Sequence, residues 1–345
     1  MSEAPPSRSE VAEKLAEASA AGSPLSPRGG GTHSRVGHPG GRPAEFLSTA
    51  RLDGLIDYTP QDLTITVEGG MPVDRLSDIA ADQGQFWPQV GAGNGASVGG
   101  VLASAASGLS RLRFGPIRDS LLQVVVATGD GRLVTAGGRT VKGVSGYDLP
   151  RLMTGSFGSL GVIVEATLKL WPRPPARQWY VRPGADALAG GRALLRELYR
   201  PGAVIVTPEA THLELVGQPE DVVAPQGFLP ADPPDRPTGD ALVRAAVSPA
   251  RLPELIQALG ALELSFAAQL GVGTCAVGVE SAHQIQKVRE HALALAGHAV
   301  VEDAPAELRR DPWGPPPPGL RIMRRLKAAF DPAGVLNPGL MPGGI

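Results

Sequence analysis

The sequence contains almost no cysteine. Cys275 is the single one among 345 residues, which excludes a disulfide framework within the chain and any metal or iron–sulfur site built from several of its cysteines. It lies in an apolar segment, Thr-Cys-Ala-Val-Gly-Val, where a cysteine usually behaves as a small buried hydrophobe. This usage fits a reducing compartment, and we assign Cys275 no chemistry.

Charge of one sign and long apolar runs are also missing. The formal net charge is −2 and no stripe of Lys and Arg stands out, so the chain lacks the electrostatic footprint of proteins that neutralise nucleic-acid phosphates. No run of about 18 apolar residues is present to span a bilayer, and the N-terminus lacks the apolar segment of a secretory signal. We expect a cytoplasmic protein with no transmembrane segment and no nucleic-acid partner.

Glycine and proline, by contrast, are abundant: 45 Gly and 34 Pro stand against 4 Trp, 4 Tyr and 7 Phe. The glycines cluster in a few loops, whereas low-complexity disorder would scatter them, so each cluster needs a reason in the backbone. The chain has room for two domains, since compact domains usually run to roughly 100–200 residues. The proline run that ends at Pro175 is the expected boundary.

Apolar periodicity predicts the elements of the first domain. Helical spacing predicts a helix over Ser9–Ala20, and alternation predicts a strand over Leu63–Glu68. An Asp-Gly pair between two β-prone runs, Leu121–Thr128 and Arg132–Thr135, predicts a hairpin. A longer alternating run, Val162–Leu170, predicts a strand that stops at the prolines.

The second half mixes strands and helices in the pattern of an antiparallel α+β layer. Strands are expected at Gln178–Val181, Thr211–Val216, Ala241–Ser248, Ser265–Leu270 and Thr274–Glu280, and helices at Ala185–Tyr199, Leu252–Leu262 and Ala282–Ala296. The Pro-, Asp- and Gly-rich stretch Gly217–Thr238 reads as a mobile surface loop. After a second proline run, Pro315–Pro318, a final helix over Leu320–Phe330 is expected to pack back on the first domain.

Three glycine-rich loops are candidate ligand sites. Consecutive glycines in the first loop, Pro27–Ser34, can point several N–H groups at one anion, and an ordinary tight turn is the alternative. The second loop, Gly91–Gly100, has the G-x-G-x-x-A spacing of a dinucleotide fold, but Pro88 argues against the buried strand that must precede it, so we reject an NAD site. The third loop, Thr154–Gly161, with Gly143–Asp148 before it, suits a backbone wall against a flat ring system, and a series of structural turns is the alternative.

Five blocks of the sequence together resemble one protein family. They are Arg28-Gly-Gly-Gly-Thr32, Ala96-Ser-Val-Gly-Gly100, Arg113-Phe-Gly-Pro-Ile-Arg-Asp119, Lys142-Gly-Val-Ser-Gly-Tyr-Asp148 and Gly155-Ser-Phe-Gly-Ser-Leu-Gly161. In this order they resemble the FAD-binding domain of the vanillyl-alcohol-oxidase/PCMH flavoprotein superfamily. The tail Arg325–Gly339 resembles the closing segment of the same family.

The resemblance implies an α+β fold in three parts. A two-subdomain PCMH-type FAD-binding domain would occupy residues 1–175, and a short ferredoxin-like α+β cap or substrate domain would occupy residues 176–314. A C-terminal segment, residues 315–345, would return to the FAD-binding domain.

The resemblance also implies which residues hold FAD. Backbone N–H groups of the first two loops would hold the diphosphate, and the third loop would line the cofactor. The residues carried over by position are Arg28, Gly29, Gly30, Gly31, Thr32, His33, Ala96, Ser97, Val98, Gly99, Gly100, Gly115, Asp119, Lys142, Gly155, Ser156, Gly158, Ser159, Leu160, Gly161 and Ile163. A cation at Lys142, Arg113 or Arg118 would stabilise the reduced, anionic ring, and surface solvation or a structural ion pair is the alternative.

Within the superfamily the blocks are most similar to the FAD-binding subunit of bacterial glycolate oxidase. This similarity implies a two-electron oxidation of a small 2-hydroxy acid. Electrons would pass from the flavin to an iron–sulfur subunit in a complex that also holds a paralogous flavoprotein subunit. It also implies a cytoplasmic protein, either free or held peripherally at the inner membrane by partner subunits.

Two departures from the family leave alternatives open. Relatives that tether FAD covalently carry a histidine where this chain has Thr32, so we expect non-covalent FAD. The histidine-rich, acidic block of hydroxy-acid dehydrogenases is not found, and His283, His291 and His298 read as isolated surface residues, so we predict no metal site and assign no catalytic residue. The chain would then be a scaffold subunit beside a catalytic paralogue, or a free-standing oxidoreductase for another hydroxy acid or alcohol.

Overall fold

The computed structural model describes residues 4–39, 44–90, 95–138 and 147–345. Three predicted features lie wholly or partly outside those ranges: Lys142, the first four residues of the second glycine loop (Gly91–Asn94), and Gly143–Gly146 of the block before the third loop. Within the described ranges, no helix is both long and apolar enough to cross a bilayer.

The first part of the chain is built around a five-stranded antiparallel sheet. Its elements are α1 (Arg8–Ala21), β1 (Leu25–Arg28), β2 (Glu45–Ser48), β3 (Leu55–Thr59), β4 (Thr64–Glu68), α2 (Val73–Ala81), β5 (Gln85–Phe86), α3 (Val98–Ser104), α4 (Arg111–Phe114), β6 (Leu121–Ala127), β7 (Leu133–Gly137), α5 (Leu149–Met153), β8 (Val162–Lys169) and β9 (Trp171–Pro172). The sheet order is β3-β4-β8-β6-β7, whereas β1 and β2 form a separate parallel pair.

Both faces of this sheet are covered, which explains why its central strand β8 is buried from Val162 to Leu168. Successive side chains of a strand point to opposite faces. Ile163 therefore packs with the α2 and α3 side, whereas Val162 and Val164 pack with α1 through residues such as Leu15. Each fully buried Leu or Ile in these clusters contributes roughly 1.5–3 kcal/mol relative to an exposed one. The strand predicted from alternation at Val162–Leu170 is confirmed.

The second part of the chain is a single eight-stranded sheet with helices on one face. Its elements are β10 (Ala176–Pro183), α6 (Ala187–Glu197), β11 (Ala203–Val206), β12 (Ala210–Gly217), β13 (Leu229–Ala231), β14 (Ala241–Ala246), α7 (Leu252–Ala261), β15 (Phe266–Gln269), β16 (Thr274–Val279), α8 (Ala282–Ala294) and β17 (His298–Asp303). The order is β13-β10-β12-β11-β15-β16-β14-β17, and every pairing in it is antiparallel.

The cap sheet contains the predicted ferredoxin-like unit and extends it. Strands β14 to β17 with α7 and α8 follow the β-α-β-β-α-β order, and β10-α6-β11-β12 adds a second, partial unit to the same sheet. The cap is therefore α+β as predicted, with three strands that the periodicity did not reveal: β11, β13 and β17. The stretch predicted as a surface loop contains β13, which pairs with β10.

A buried carboxylate joins the cap to the first domain. The side chain of Glu214, on β12, is 0 % exposed. It accepts a hydrogen bond from Ser110 Oγ at 2.7 Å and one from Arg177 Nε at 2.5 Å. Ser110 precedes α4 in the first domain, and Leu112, two residues further on, packs against the cap core. This contact fixes the position of the cap over the first domain.

The C-terminal segment returns to the first domain. Helix α9 (Leu320–Phe330) is followed by a turn, and Leu336 forms a parallel bridge with Leu25 of β1. Leu25 N–H donates to the Val335 carbonyl at 2.7 Å, and Asn337 N–H donates to the Leu25 carbonyl at 2.9 Å. Leu336 itself is fully buried in the cluster under α1. The strand that leads into the first glycine loop therefore pairs with residues near the C-terminus.

Candidate functional site

Three segments far apart in sequence converge on one cavity of about 260 Å³, which is partly open to solvent. Half of the lining residues are ones that the sequence predicted, namely Arg28, Gly29, Gly30, Gly31, Thr32, His33, Ser97, Gly99, Gly100, Gly158, Gly161 and Ile163. The others are Ser26, Pro27, Ser34, Val36, Phe46, Thr49, Ala103, Ser104, Phe157, Val162, Asn337 and Leu340. Among these lining residues there is no Asp or Glu, which suits an anionic ligand.

The first glycine loop lies directly against the second. A β-carbon on Gly29 would stand 1.9 Å from Ser97 Oγ, and one on Gly30 would stand 1.7 Å from the Gly95 carbonyl oxygen. Real side chains cannot approach this closely, so the contact needs glycine at both positions. Gly31 adopts a positive φ of 73°, a conformation that L side chains rarely take. The glycine run therefore allows two backbones to meet at one wall of the cavity.

The second loop is fixed by the N-terminus of α3. Ser97 caps the helix, since its Oγ accepts a hydrogen bond from Gly100 N–H at 3.3 Å. The Val98 and Gly99 N–H groups donate to the carbonyls of Met71 and Gly69, at 2.9 and 2.7 Å. These two amides are thus already bonded within the protein.

The third loop packs on α3 and leads into β8. Its Gly155 and Phe157 N–H groups donate to the carbonyls of Leu102 and Ala103, at 3.1 and 2.8 Å. Phe157 has φ 50° and Gly158 has φ 67°, so consecutive residues occupy the left-handed region. This turn presents Phe157 and Gly158 to the cavity.

Several predicted cofactor residues do not line the cavity. Ala96, Val98, Ser156, Ser159 and Leu160 are buried and Gly155 is half-buried, and none of the six lines the cavity. The Ser156 Oγ is buried and has no hydrogen-bond partner, whereas Ser159 Oγ donates to the Ser156 carbonyl at 2.6 Å. An unpartnered buried hydroxyl is uncommon in folded proteins.

The block Arg113–Asp119 lies outside the cavity lining. Gly115 ends α4 with φ 79°, and Asp119 forms an ion pair with Arg151 at 3.2 Å. Arg113 donates to the Arg200 carbonyl of the cap, and Arg118 stands 3.8 Å from Asp119. The structure thus shows interdomain and surface contacts at these positions, and their roles toward a cofactor stay predictions.

His33 lines the cavity, and charged residues of the cap lie close enough to its ring to shift its pKa. The pKa of His33 is lowered below its usual 6.5 mainly because neighbouring protein removes part of the hydration of the ring, although the side chain remains exposed at the surface. Charges from the cap also act on it: Glu302 and Asp303 raise the pKa, whereas Arg244 and Arg236 lower it. On the cavity side, His33 Nδ1 lies 3.2 Å from Thr32 Oγ1. We infer that His33 is neutral at pH 7.

This lowered pKa makes stability depend on pH. Because the pKa is lower in the folded state than in the unfolded chain, the unfolded chain holds more protons between the folded pKa and 6.5. The free energy of unfolding should therefore rise as pH rises through that interval, and His33→Gln should remove this step. NMR titration of the imidazole, assigned with the His33→Gln variant, checks it. A His33 pKa at or above 6.5 in the unliganded protein would contradict the prediction.

Sequence reasoning missed the contribution of the C-terminal segment to the lining. Asn337 and Leu340 line the cavity, and Asn337 Nδ2 donates to the Phe157 carbonyl at 2.8 Å. The resemblance of the tail to a family's closing segment pointed to this region without assigning any residue in it. Phe46 was also missed, and the Arg28 guanidinium lies over its ring at 4.5 Å from the centroid.

No catalytic cluster stands out in the cap. Across the described ranges, no group of three or more His, Cys, Asp or Glu has the arrangement of a metal site. His283 and His291 lie on α8, on the helical side of the sheet. His212 was not singled out from the sequence. Its Nδ1 is buried without a hydrogen-bond partner, and so is Oε1 of Gln269. Both residues pair with Ile205, so the three lie in one row across neighbouring strands.

Comparison with known proteins identifies the class. Residues 3–137 match the family described as FAD binding domain, and residues 315–341 match the C-terminal domain of FAD linked oxidases. The fold and the glycine-lined cavity are therefore those of an FAD-binding flavoprotein. Both matched descriptions name FAD, so the cofactor of this chain is FAD.

The curated relatives are hydroxy-acid enzymes or subunits of them. The chain is 39 % identical over 150 residues to D-2-hydroxyglutarate dehydrogenase of Xanthomonas citri pv. viticola, which covers 43 % of this chain and 32 % of that protein. It is 37 % identical over 140 residues to glycolate oxidase subunit GlcE of Escherichia coli K12, covering 39 % and 40 %. It is 34 % identical over 170 residues to D-lactate dehydrogenase of Archaeoglobus fulgidus, covering 49 % and 38 %. The matched region thus spans well under half of each relative.

A solved structure reproduces the whole arrangement. The chain resembles alkyldihydroxyacetonephosphate synthase with a TM-score of 0.68 at 15 % identity, over 97 % of this chain and 75 % of that one. At this identity the likeness concerns the fold alone. It extends across the FAD-binding domain, the cap and the C-terminal segment.

Proposed function

We propose that the chain binds FAD non-covalently in the glycine-lined cavity and acts as the FAD-binding subunit of a 2-hydroxy-acid oxidoreductase of the glycolate oxidase type. Electrons would pass from the substrate through the flavin to a partner subunit. The observation that carries the proposal is the convergence of the three glycine loops on one cavity without an acidic side chain in its lining.

The residues present fit the diphosphate part of FAD. Glycines leave room for close backbone approach, and Arg28 supplies a cation at the lining. Thr32 and Ser34 hydroxyls are further donors on the first loop. The cavity is smaller than the roughly 300–1,000 Å³ of most ligand pockets, so it would hold only part of the dinucleotide, with the rest along its open side.

Bound FAD would supply the two-electron redox chemistry, and the chain would supply binding and orientation. The backbone of the first loop, with Arg28, would fix the diphosphate, and Phe157 with Ile163 would give the lining an apolar side. The diphosphate would lie beside His33, so FAD binding should raise the pKa of His33, since nearby negative charge favours the protonated ring.

The proposal predicts a coloured, substrate-reducible protein. Reconstitution with FAD should give a yellow protein from which acid or heat releases all the flavin, because no covalent bond holds it. Anaerobic addition of glycolate, D-lactate or D-2-hydroxyglutarate should then bleach the visible flavin band, and succinate, which lacks the hydroxyl group, serves as the control. A protein that stays colourless after reconstitution would contradict FAD binding, and flavin that no 2-hydroxy acid bleaches would contradict catalysis by this chain.

A second candidate is an accessory FAD-binding subunit whose paralogue oxidises the substrate. The observation in its favour is that His33 is the single histidine among the described residues that line the cavity, whereas His283 and His291 lie on α8 of the cap. The same anaerobic experiment separates the two candidates. Bleaching by the isolated chain excludes the accessory function, whereas bleaching only in the presence of a co-expressed flavoprotein partner supports it.

A further inference from the structure

We propose that Lys327 and Asp331, a buried ion pair in the C-terminal segment, position the third glycine loop for FAD, so that they are positioning residues of the cofactor site without lining it. This inference rests on the proposed location of FAD in the glycine-lined cavity. It assigns a role to a segment for which the comparisons identify only a family, not the function of any residue.

The pair is buried to a degree that is unusual for two charged groups. Lys327 Nζ lies 2.7 Å from Asp331 Oδ2, with side chains 11 % and 0 % exposed. Burial lowers the pKa of Lys327, and the neighbouring Asp331 carboxylate opposes that shift. Removing two charges from water is costly, and a hydrophobic pair of similar size is often at least as stable. Overall stability alone therefore gives no reason for an ion pair at this position.

The contacts of the ammonium group suggest what the pair does. Lys327 Nζ donates to the carbonyl of Ser159 in the third loop at 2.9 Å and to the carbonyl of Leu336 at 2.5 Å. With Asp331 it has three oxygen partners, as many as an ammonium can donate to. One side chain thus ties the third loop to the C-terminal turn.

The Asp331 carboxylate also forms hydrogen bonds with the C-terminal turn. Asp331 accepts hydrogen bonds from the N–H groups of Val335 and Leu336, at 3.0 and 2.8 Å. These two residues continue into the bridge with Leu25 of β1, the strand that enters the first glycine loop. The ion pair is therefore connected by hydrogen bonds to the first loop as well as to the third.

The first and third glycine loops both line the cavity, and the C-terminal turn is hydrogen-bonded to β1, which leads into the first loop, and to the third loop. Gly29 and Gly158 both line the cavity, and Pro27 stands 3.5 Å from where a Gly158 β-carbon would be. Asn337, in the same turn, contacts the third loop, because its Nδ2 donates to the Phe157 carbonyl. A change at the ion pair should therefore change the separation of the loops, and with it the fit of the cofactor, although neither charged group touches the cavity.

The test is the double substitution Lys327→Met with Asp331→Asn, compared with wild type for FAD affinity. The two changes are made together because either alone would leave one buried charge unpaired. We expect the FAD dissociation constant to rise at least about tenfold, as loss of a buried charge-assisted contact would produce. We also expect bound flavin to become more accessible to iodide quenching, which a purely stabilising role would not change.

The control removes an ion pair of the cap, Arg289 with Asp311, in which only the cation is buried, since the Asp311 side chain is 62 % exposed. Arg289 is 5 % exposed and lies 2.8 Å from Asp311, on the helical side of the cap sheet. Arg289→Met with Asp311→Asn should lower the melting temperature while leaving the FAD dissociation constant within about twofold of wild type. If the control weakens FAD binding as much as the test variant, the effect is general destabilisation and the inference is wrong.

Hydrogen exchange on the wild-type protein tests the coupling without any variant. Because coupling between two sites is reciprocal, FAD should slow amide exchange in residues 331–337 together with loop residues 155–161, and should leave α8 unchanged. Unchanged exchange in residues 331–337 would overturn the inference even if the double variant does not fold. A wild type that fails to bind FAD would instead overturn the proposed function, so the two failures are distinguishable.

Discussion

Replacing Gly30 with alanine is expected to abolish measurable FAD binding, with the dissociation constant raised about a hundredfold or more. The added β-carbon would stand 1.7 Å from the Gly95 carbonyl oxygen, and a backbone atom cannot rotate away as a side chain can. The first loop must therefore move away from the second, which opens the contact at the wall of the cavity. Titration of the apoprotein with FAD, followed by flavin fluorescence, measures the effect.

Gly260 provides the control for this substitution. It lies in α7, and nothing stands within 4 Å of where its β-carbon would be. Gly260→Ala should bind FAD as wild type does and should be more stable by roughly 0.5–1 kcal/mol, since alanine is the better helix former. A Gly30→Ala protein that folds and binds FAD with wild-type affinity would show that the two loops do not form the site.

Replacing Glu214 with alanine is expected to lower the free energy of unfolding by about 2–4 kcal/mol, because it breaks a buried hydrogen-bonded pair and leaves a cavity. This loss is smaller than the largest losses seen when a buried ion pair is broken, because Arg177, the cation of the pair, is 44 % exposed and stays partly solvated. Glu214 accepts a hydrogen bond from Ser110 across the interface between the cap and the FAD-binding domain. In the variant we therefore also expect these two domains to unfold in separate transitions. Differential scanning calorimetry measures both effects.

An exposed ion pair serves as the comparison for Glu214. Arg251 and Glu254 lie 2.5 Å apart on the surface, with side chains 46 % and 52 % exposed. Glu254→Ala should change the free energy of unfolding by less than about 1 kcal/mol, as is usual for surface pairs. If Glu214→Ala has as small an effect, with a single transition retained, then Glu214 does not hold the domains together.

Features determined by neighbouring residues could be predicted from the sequence. The hairpin β6–β7 is confirmed, because Asp130-Gly131 favours a tight turn whatever the rest of the chain does. Even there, the structure adds a reason that lies elsewhere in the chain. Gly129 N–H donates to the Phe330 carbonyl, and a β-carbon on Gly129 would stand 2.3 Å from Asp331 Oδ1.

Features determined by distant residues could not be predicted. Strand β11 is only four residues long, and all four are buried, so it shows no alternation to distinguish it from any other short apolar run. It is a strand because all four residues pair with β12, the next strand along the chain, and because Ile205 and Val206 also pair with β15, some sixty residues further on. The C-terminal contribution to the cavity was hidden for the same reason, since nothing local to Asn337 shows that it bonds the Phe157 carbonyl.

The pairing of Leu25 with Leu336 has a consequence for biosynthesis. During translation the eight-stranded cap sheet has all its strands once residue 303 has left the ribosome, whereas the domain begun first still lacks the turn that closes it. Contacts between such distant parts of a chain form slowly, because closing a long loop is costly in entropy. The cap, although it is synthesised second, should therefore complete its folding first. A nascent chain stalled before α9 should carry a folded cap attached to an incompletely folded nucleotide-binding domain.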